Sequence, residues 1–255
     1  MIPYVRREKI MEELESKDLM YIEDFVKIFE GVSESTIRRD LKNLEEENQL
    51  TVLRGGAVKR KVNTFELPVG TKKFLNLDKK ERIAKLAASF VTDEEVIYID
   101  SGTTCSAIVK FIKARDVRIV TSNTLVLQEL DNPNITSCII IGGDFNKHLD
   151  SISGPLSDNT LKNLYFDRAF LGASGFGKEV GVNTPDFREA SKKTIVNTNS
   201  KKCYVLADST KYNKSTLCKA FELNQCILVT DKKINDLDEK TKYYIVGSDP
   251  HSAKV

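Results

Sequence analysis

Apolar positions in the first sixty residues follow a helical spacing in three successive stretches. Residues 4–17, 21–29 and 33–48 place apolar side chains three or four positions apart, as in a helix with one buried face. Residues 50–53 and 57–60 are typical of two short strands around Gly55 and Gly56. This order predicts a winged helix-turn-helix domain over residues 1–60.

The third helix carries its charges away from its apolar stripe. Ile37, Leu41 and Leu44 recur at i, i+4 and i+7, Ser33 suits the N-cap, and Asn48 suits the helix end. An ordinary amphipathic helix with a solvated charged face would show the same spacing, but the surrounding helix, turn and wing favour DNA binding. The candidate contacts with bases and phosphates are Ser35, Thr36, Arg38, Arg39, Lys42 and, in the wing, Arg54.

From residue 79 onward, short apolar runs alternate with helical stretches. Residues 95–100, 117–121 and 202–208 are typical of strands buried on both faces, and residues 103–114 are one of the predicted helices. The alternation predicts a mainly parallel α/β domain over residues 79–255. Residues 61–78 contain Pro68 and Gly70 without a clean period, so they are predicted to be a linker.

Polar turns follow five of the predicted strands. Ligands of open α/β sheets bind beyond the carboxyl ends of the strands, so we expect these turns to form one polar pocket. One such turn alone is usually only a turn, whereas five at one edge indicate a binding site. The backbone N–H groups and hydroxyls of residues 100–104 are suited to hold a phosphate. The candidates are Asp100, Ser101, Gly102, Thr103, Thr104, Asn123, Gly142, Gly143, Asp208 and Lys211.

Composition narrows the class of protein without identifying its ligand. The net charge is +2, and residues 1–62 hold 12 Lys and Arg against 13 Asp and Glu, so any DNA affinity depends on where the charges lie. The five cysteines are widely spaced and form no C-x-x-C pair. We therefore expect no disulfide framework, metal site or cofactor. The absence of long apolar runs predicts a cytoplasmic protein without a membrane span.

Two groups of motifs resemble one known family. VSESTIRRDLKNLEEENQLTVLRGGA, residues 32–57, resembles the N-terminal motif of the DeoR family of bacterial sugar-metabolism regulators, with TIRRDL intact. Asn48 stands where that family usually has glycine, and Arg54 stands where it usually has histidine. The later DSGTT, TSN, IGG, FDRAFLGASG and ADSTK segments resemble the sensor domain of the same family, a domain similar in fold to ribose-5-phosphate isomerase.

The resemblance implies roles for particular residues. The loop at residues 100–104 would hold phosphate, Glu189 would lie near the position of the isomerase carboxylate, and Lys211 near a substrate-contacting lysine. Glu189 is equally consistent with a carboxylate on a helix surface. Lys72 or Lys73 takes the place of an arginine that the family often has.

We therefore expect a DNA-binding regulator, a repressor of a sugar-metabolism operon, with double-stranded operator DNA and a phosphorylated sugar as ligands. Two or more copies would place recognition helices in successive major grooves. No catalytic residue is assigned. The alternatives are a sugar-phosphate isomerase with a fused DNA-binding domain, which would use a carboxylate base, and an architectural DNA-binding protein without an effector.

Overall fold

The chain folds into two units, Met1–Phe65 and Glu66–Val255, which we describe separately. The structure is a computed structural model and describes residues 2–17, 19–46, 49–60, 68–234, 236–237 and 240–247. Within those residues, no helix is long and apolar enough to span a membrane.

The first unit combines helices with a small antiparallel sheet. Its elements are α1 (Pro3–Ser16), β1 (Leu19–Tyr21), α2 (Ile22–Ile28), α3 (Glu34–Glu46), β2 (Leu50–Val52) and β3 (Ala57–Arg60), with strand order β1-β3-β2. The predicted helices and wing are present. Strand β1 was not predicted; it places Met20 opposite Val58, and both side chains are buried in the core between helices and sheet.

The second unit is built around a parallel sheet. Its helices are α4 (Val69–Lys72), α5 (Leu77–Ala88), α6 (Thr103–Ser106), α7 (Pro155–Leu161) and α8 (Phe187–Thr198). Its strands are β4 (Val96–Ile99), β5 (Val117–Thr121), β6 (Ile135–Ile140), β7 (Asp144–Asn146), β8 (Ser151–Ser153), β9 (Phe166–Gly172), β10 (Gly175–Gly177), β11 (Gly181–Thr184), β12 (Ser200–Leu206), β13 (Cys218–Phe221), β14 (Ile227–Thr230) and β15 (Lys242–Ile245).

Seven of these described strands form the central parallel sheet in the order β15-β14-β12-β9-β4-β5-β6. Successive residues of a strand enter different cores: Ile97 and Ile99 pack on one side, whereas Tyr98 packs on the other. Both faces are therefore covered, as the continuous apolar runs predicted. The fold class expected from the sequence is confirmed.

Three parts of the second unit differ from the prediction. Residues 68–78 of the predicted linker belong to this unit, because α4 forms there and Val69 is buried. The predicted helix over residues 103–114 is one α-turn followed by a 3-10 segment, Ala107–Phe111. The hairpin β7-β8 and the antiparallel sheet β10-β11-β13 were not predicted.

Candidate functional site

Helix α3 begins and packs as its sequence predicts. The backbone N–H of Thr36 donates to Ser33 Oγ at 3.3 Å, so Ser33 satisfies one unpaired donor of the first turn. Ile37, Leu41 and Leu44 are all buried in the core of the first unit. The predicted helix end at Asn48 lies outside the described residues.

The candidate DNA contacts on α3 lie on its outer side. Ser35, Arg38, Arg39 and Lys42 are exposed, and Thr36 is half-buried with its Oγ1 2.8 Å from Ser33 Oγ. Arg38 pairs with Glu34 at 2.6 Å across side chains that are more than half exposed, and Lys42 pairs with Glu46 at 3.9 Å. Such exposed pairs are weak, so these cations can exchange their partners for phosphate groups.

The wing presents Arg54 at its turn. Gly55 and Gly56 adopt φ angles of 85° and 77°, which favour glycine, and Leu53 N–H donates to the Ala57 carbonyl at 2.7 Å across the turn. Arg54 precedes the glycines and is exposed. The side chain of Arg60 and residue Lys61 lie outside the described residues.

One charged residue of α3 is buried, and the sequence interpretation missed its role. Asp40 accepts a hydrogen bond from Nε of Arg6 on α1, and both side chains are at most 5% exposed. The sequence did hold a signal, because Asp40 lies three residues after Ile37 and four before Leu44, on the apolar stripe.

A pocket in the second unit opens at the carboxyl ends of β4, β9 and β12. The loop after β4 contributes Ser101, Gly102, Thr103 and Thr104, and the segment after β12 contributes Asp208 and Lys211. The other residues lining it are Val69, Lys72, Leu75, Asn76, Lys80, Cys105, Leu149, Gly172, Ala173, Ser174, Thr184, Glu189, Lys193, Leu206 and Ala207. Seven of the predicted effector residues are thus brought together.

Four predicted effector residues, Asp100, Asn123, Gly142 and Gly143, are not among the described residues that line the pocket. Asp100 is buried, pairs with Lys193 and accepts the N–H of Gly172 at 3.1 Å. Asn123 donates from Nδ2 to the carbonyls of Asp100 and Gly102 at 2.9 and 3.1 Å. Asp100 and Asn123 therefore hold the shape of the loop.

Gly142 and Gly143 contact α7 and the hairpin strand β8. The Gly142 carbonyl accepts a hydrogen bond from Ser157 Oγ at 2.8 Å. Gly143 has a φ of 151°, and a Cβ there would lie 2.7 Å from the Ser153 carbonyl. The close approach of α7 and β8 therefore accounts for a glycine at position 143.

Glu189 is buried and held by three donors. It accepts hydrogen bonds from Ser101 Oγ, from Ser151 Oγ at 2.7 Å and from Lys192 Nζ at 2.9 Å. Burial opposes its ionisation, but Lys192, Lys193 and the Ser101 hydroxyl outweigh that effect and lower the pKa of Glu189 to about 2. A carboxylate so strongly ionised is a poor general base near neutral pH.

Positively charged lysine side chains also line the pocket. Lys80 of α5 donates from Nζ to the Lys72 carbonyl. Burial is the largest cause that lowers the pKa of Lys80 to about 8; the positive charges of Lys211 and Lys72 act in the same direction, and the negative charge of Asp208 opposes them. Lys80 and Lys211 therefore lie close together near Asp208 on this side of the pocket.

Lys80, Lys192 and Lys193 are functional candidates that the sequence interpretation missed. They lie on helices with no local motif, and only the tertiary fold brings them to the pocket or behind it. Lys80 reaches Lys72 because the turn before α5 includes Asn76 with a left-handed φ of 53°. Among the described residues, no cluster of His, Cys, Asp and Glu could hold a metal ion.

Family comparisons cover both units. Residues 6–62 match the DeoR-like helix-turn-helix domain, and residues 75–232 match the DeoR C-terminal sensor domain. The chain is 31% identical to the HTH-type transcriptional regulator FruR of Bacillus subtilis, named as uncharacterized, over 96% of this chain and 99% of that protein. It is 32% identical to the HTH-type transcriptional regulator GolR of Listeria innocua, over 92% and 93% of the two chains.

Solved structures similar to this chain include the ribose 5-phosphate isomerase A of Methanocaldococcus jannaschii. The identity is 19%, the aligned regions cover 54% of this chain and 55% of that chain, and the TM-score is 0.38. This similarity is too low to support an argument about function. The two family matches and the full-length relatives instead agree with the exposed cationic helix and the sensor-like second unit. The chain belongs to the DeoR family and is a DNA-binding transcriptional regulator, not an enzyme.

Proposed function

We propose that this regulator represses a sugar-metabolism operon and that a phosphorylated sugar in the pocket of the second unit releases it from DNA. The observation that carries this proposal is the grouping of Lys80 and Lys211 near Asp208 in the pocket. Ammonium groups in a partly buried pocket favour an anion, and phosphate oxygens accept charge-assisted hydrogen bonds from them.

The rest of the lining suits the sugar part of such a ligand. Ser101, Thr103 and Thr104 offer hydroxyls on the loop after β4, and Ser174 and Thr184 offer two more. Hydroxyl groups both donate and accept, as a polyol requires. The ionised Glu189 accepts a hydrogen bond from Ser101 and so helps to hold the loop after β4 in place. In this proposal, Ser101 to Thr104 of the predicted phosphate loop at residues 100–104 bind the ligand together with the lysines.

DNA binding is assigned to α3 and the wing. Arg38, Arg39 and Lys42 would contact bases and phosphates from the major groove, with Ser35 and Thr36 at the helix start and Arg54 at the wing. We propose that at least two copies bind together in the cytoplasm, since a two-fold arrangement spaces recognition helices by one helical turn of DNA. A 100-fold release requires about 2.7 kcal/mol of coupling between effector and DNA.

The effector class is tested by thermal unfolding with matched ligands. Phosphorylated sugars should raise the melting temperature, and the same sugars without phosphate should not. Lys80→Met should abolish the shift, whereas Lys85→Met, on the exposed side of the same helix, should keep it. The proposed effector class is wrong if phosphorylated and unphosphorylated sugars act alike.

A further inference from the structure

The ion pair between Arg6 and Asp40 is unlike the other described pairs of the first unit. It joins α1 to α3 across 34 residues of chain, and its side chains are only 5% and 3% exposed. The ion pairs that α3 makes on its outer side, Arg38 with Glu34 and Lys42 with Glu46, are all more than half exposed.

Stability alone does not account for a buried pair at this position. Removing a guanidinium and a carboxylate from water costs several kcal/mol for each ion, and apolar replacements of similar volume are often equally or more stable. Ile37, Leu41 and Leu44 already supply α3 with an apolar face. Apolar packing, however, has no preferred direction, whereas a charged hydrogen bond fixes two groups in distance and orientation.

We propose that Arg6 and Asp40 are positioning residues for DNA recognition, because their bond fixes the rotation of α3 about its own axis. This inference rests on the proposed role of α3 as the recognition helix. Each residue of an α-helix advances by about 100°, so Arg38 points roughly 200° away from Asp40. Holding Asp40 inward therefore directs Arg38 outward, away from α1.

A small rotation of α3 displaces the tips of its outer side chains by a larger distance. A side-chain tip roughly 6 Å from the helix axis moves by about 2 Å when the helix rotates by about 20°. Base-specific hydrogen bonds tolerate errors of only about 0.5 Å. Contacts with phosphates are less demanding, because long cationic side chains can follow the backbone charge. Loss of the pair should therefore reduce discrimination between DNA sequences more than it reduces general DNA affinity.

The test uses the full chain and two duplexes: one enriched by the wild-type protein from a randomised pool, and a scrambled duplex of the same composition. Arg6→Met combined with Asp40→Leu should keep the melting temperature while lowering the ratio of the two affinities at least tenfold. The matched control is Arg168→Met with Glu95→Leu, which removes a pair 11% and 14% exposed in the second unit. The control should keep the wild-type ratio.

A ratio within twofold of wild type in the folded double variant overturns the inference. If circular dichroism shows that this variant is unfolded, Asp40→Asn decides instead: it keeps an oxygen acceptor but weakens the bond, and we expect a threefold lower ratio. An unchanged ratio in folded Asp40→Asn also overturns the inference. Failure of the wild-type protein to enrich any duplex would contradict the proposed DNA contacts themselves, so the two failures are distinguishable.

Discussion

Lys80 donates a hydrogen bond from its Nζ to the backbone carbonyl of Lys72, which brings α5 against the segment that begins the second unit. Lys80 is half-buried there, and the positive charges of Lys211 and Lys72 are close enough to help lower the pKa of its ammonium group. Its pKa of about 8 means that its charge changes close to physiological pH, and a bound anion would favour the charged form.

Effector binding should therefore weaken as the pH rises. The pKa of Lys80 is lowered to about 8, so the ammonium is mostly charged at pH 7 and mostly neutral at pH 9, while the sugar phosphate stays dianionic. Titration calorimetry should give an affinity about tenfold lower at pH 9 than at pH 7. In Lys80→Met the affinity should be low at both pH values. A flat pH profile in the wild-type protein would contradict this role of Lys80.

Glu189→Gln should destabilise the second unit, and we expect no catalytic activity in either the wild-type protein or the variant. The change removes the carboxylate that pairs with the buried Lys192 ammonium group and leaves Lys193 with Asp100 alone, which should cost about 3–5 kcal/mol of the free energy of unfolding. Because the folded pKa is lowered from 4.5 to about 2, the stabilisation is complete above about pH 4.5 and is lost as the pH falls through about 2.

Chemical denaturation of Glu189→Gln and of the exposed control Glu179→Gln measures that effect. The difference from wild type should be large at pH 7 and smaller at pH 3. Neither the wild-type protein nor the variants should convert aldose phosphates to ketose phosphates. Multiple turnovers that depend on Glu189 would show that the pocket is an active site.

Sequence patterns predicted the elements whose buried face can be recognised from the spacing of apolar residues within the element itself. The spacing of Ile37, Leu41 and Leu44 identified one face of α3, and continuous apolar runs identified the strands of the parallel sheet. Strand β1 could not be predicted, because three residues carry little signal and their stability comes from pairing with β3, nearly forty residues later.

Only part of the candidate site was predicted, because some of its residues are brought to the pocket by contacts between segments that are distant in the sequence. Ser101 to Thr104 and Lys211 follow strands, so their place at the sheet edge is encoded by neighbouring residues. Lys80 sits on a helix without a motif, and only the packing of α5 brings it to the pocket. Asn123 and Gly143 have the residue types of a binding loop, but Asn123 holds a neighbouring loop and Gly143 allows the close approach of β8.

The cations of α3 should control DNA affinity and leave the pocket unchanged. Arg38→Ala and Arg39→Ala each remove one exposed cation, and a lost base or phosphate contact should cost about 1–3 kcal/mol of binding energy. Fluorescence anisotropy with operator DNA measures the loss, and calorimetry with the sugar phosphate should give the wild-type affinity. Arg82→Ala, a half-exposed arginine of α5, is the matched control. Full DNA affinity in both α3 variants would refute the assignment of α3.

Changes in the loop after β4 should lower affinity for the sugar phosphate and leave DNA affinity unchanged. Thr104→Val keeps the shape of the side chain and removes one hydroxyl from the pocket, which should lower affinity for the sugar phosphate about tenfold if that hydroxyl bonds the phosphate. Operator affinity without effector should stay within twofold of wild type. Thr160→Val, on an exposed position of α7, controls for the substitution itself. Loss of operator binding by folded Thr104→Val would contradict the division into two sites.

The most direct measurement is a titration of the operator complex with the phosphorylated sugar that raises the melting temperature most. We predict that saturating sugar phosphate lowers operator affinity about 100-fold in the wild-type protein and in Lys85→Met, and that Lys80→Met remains bound to DNA throughout. Operator affinity that does not change at saturating sugar phosphate, or release of Lys80→Met at the wild-type concentration, would contradict the proposed function.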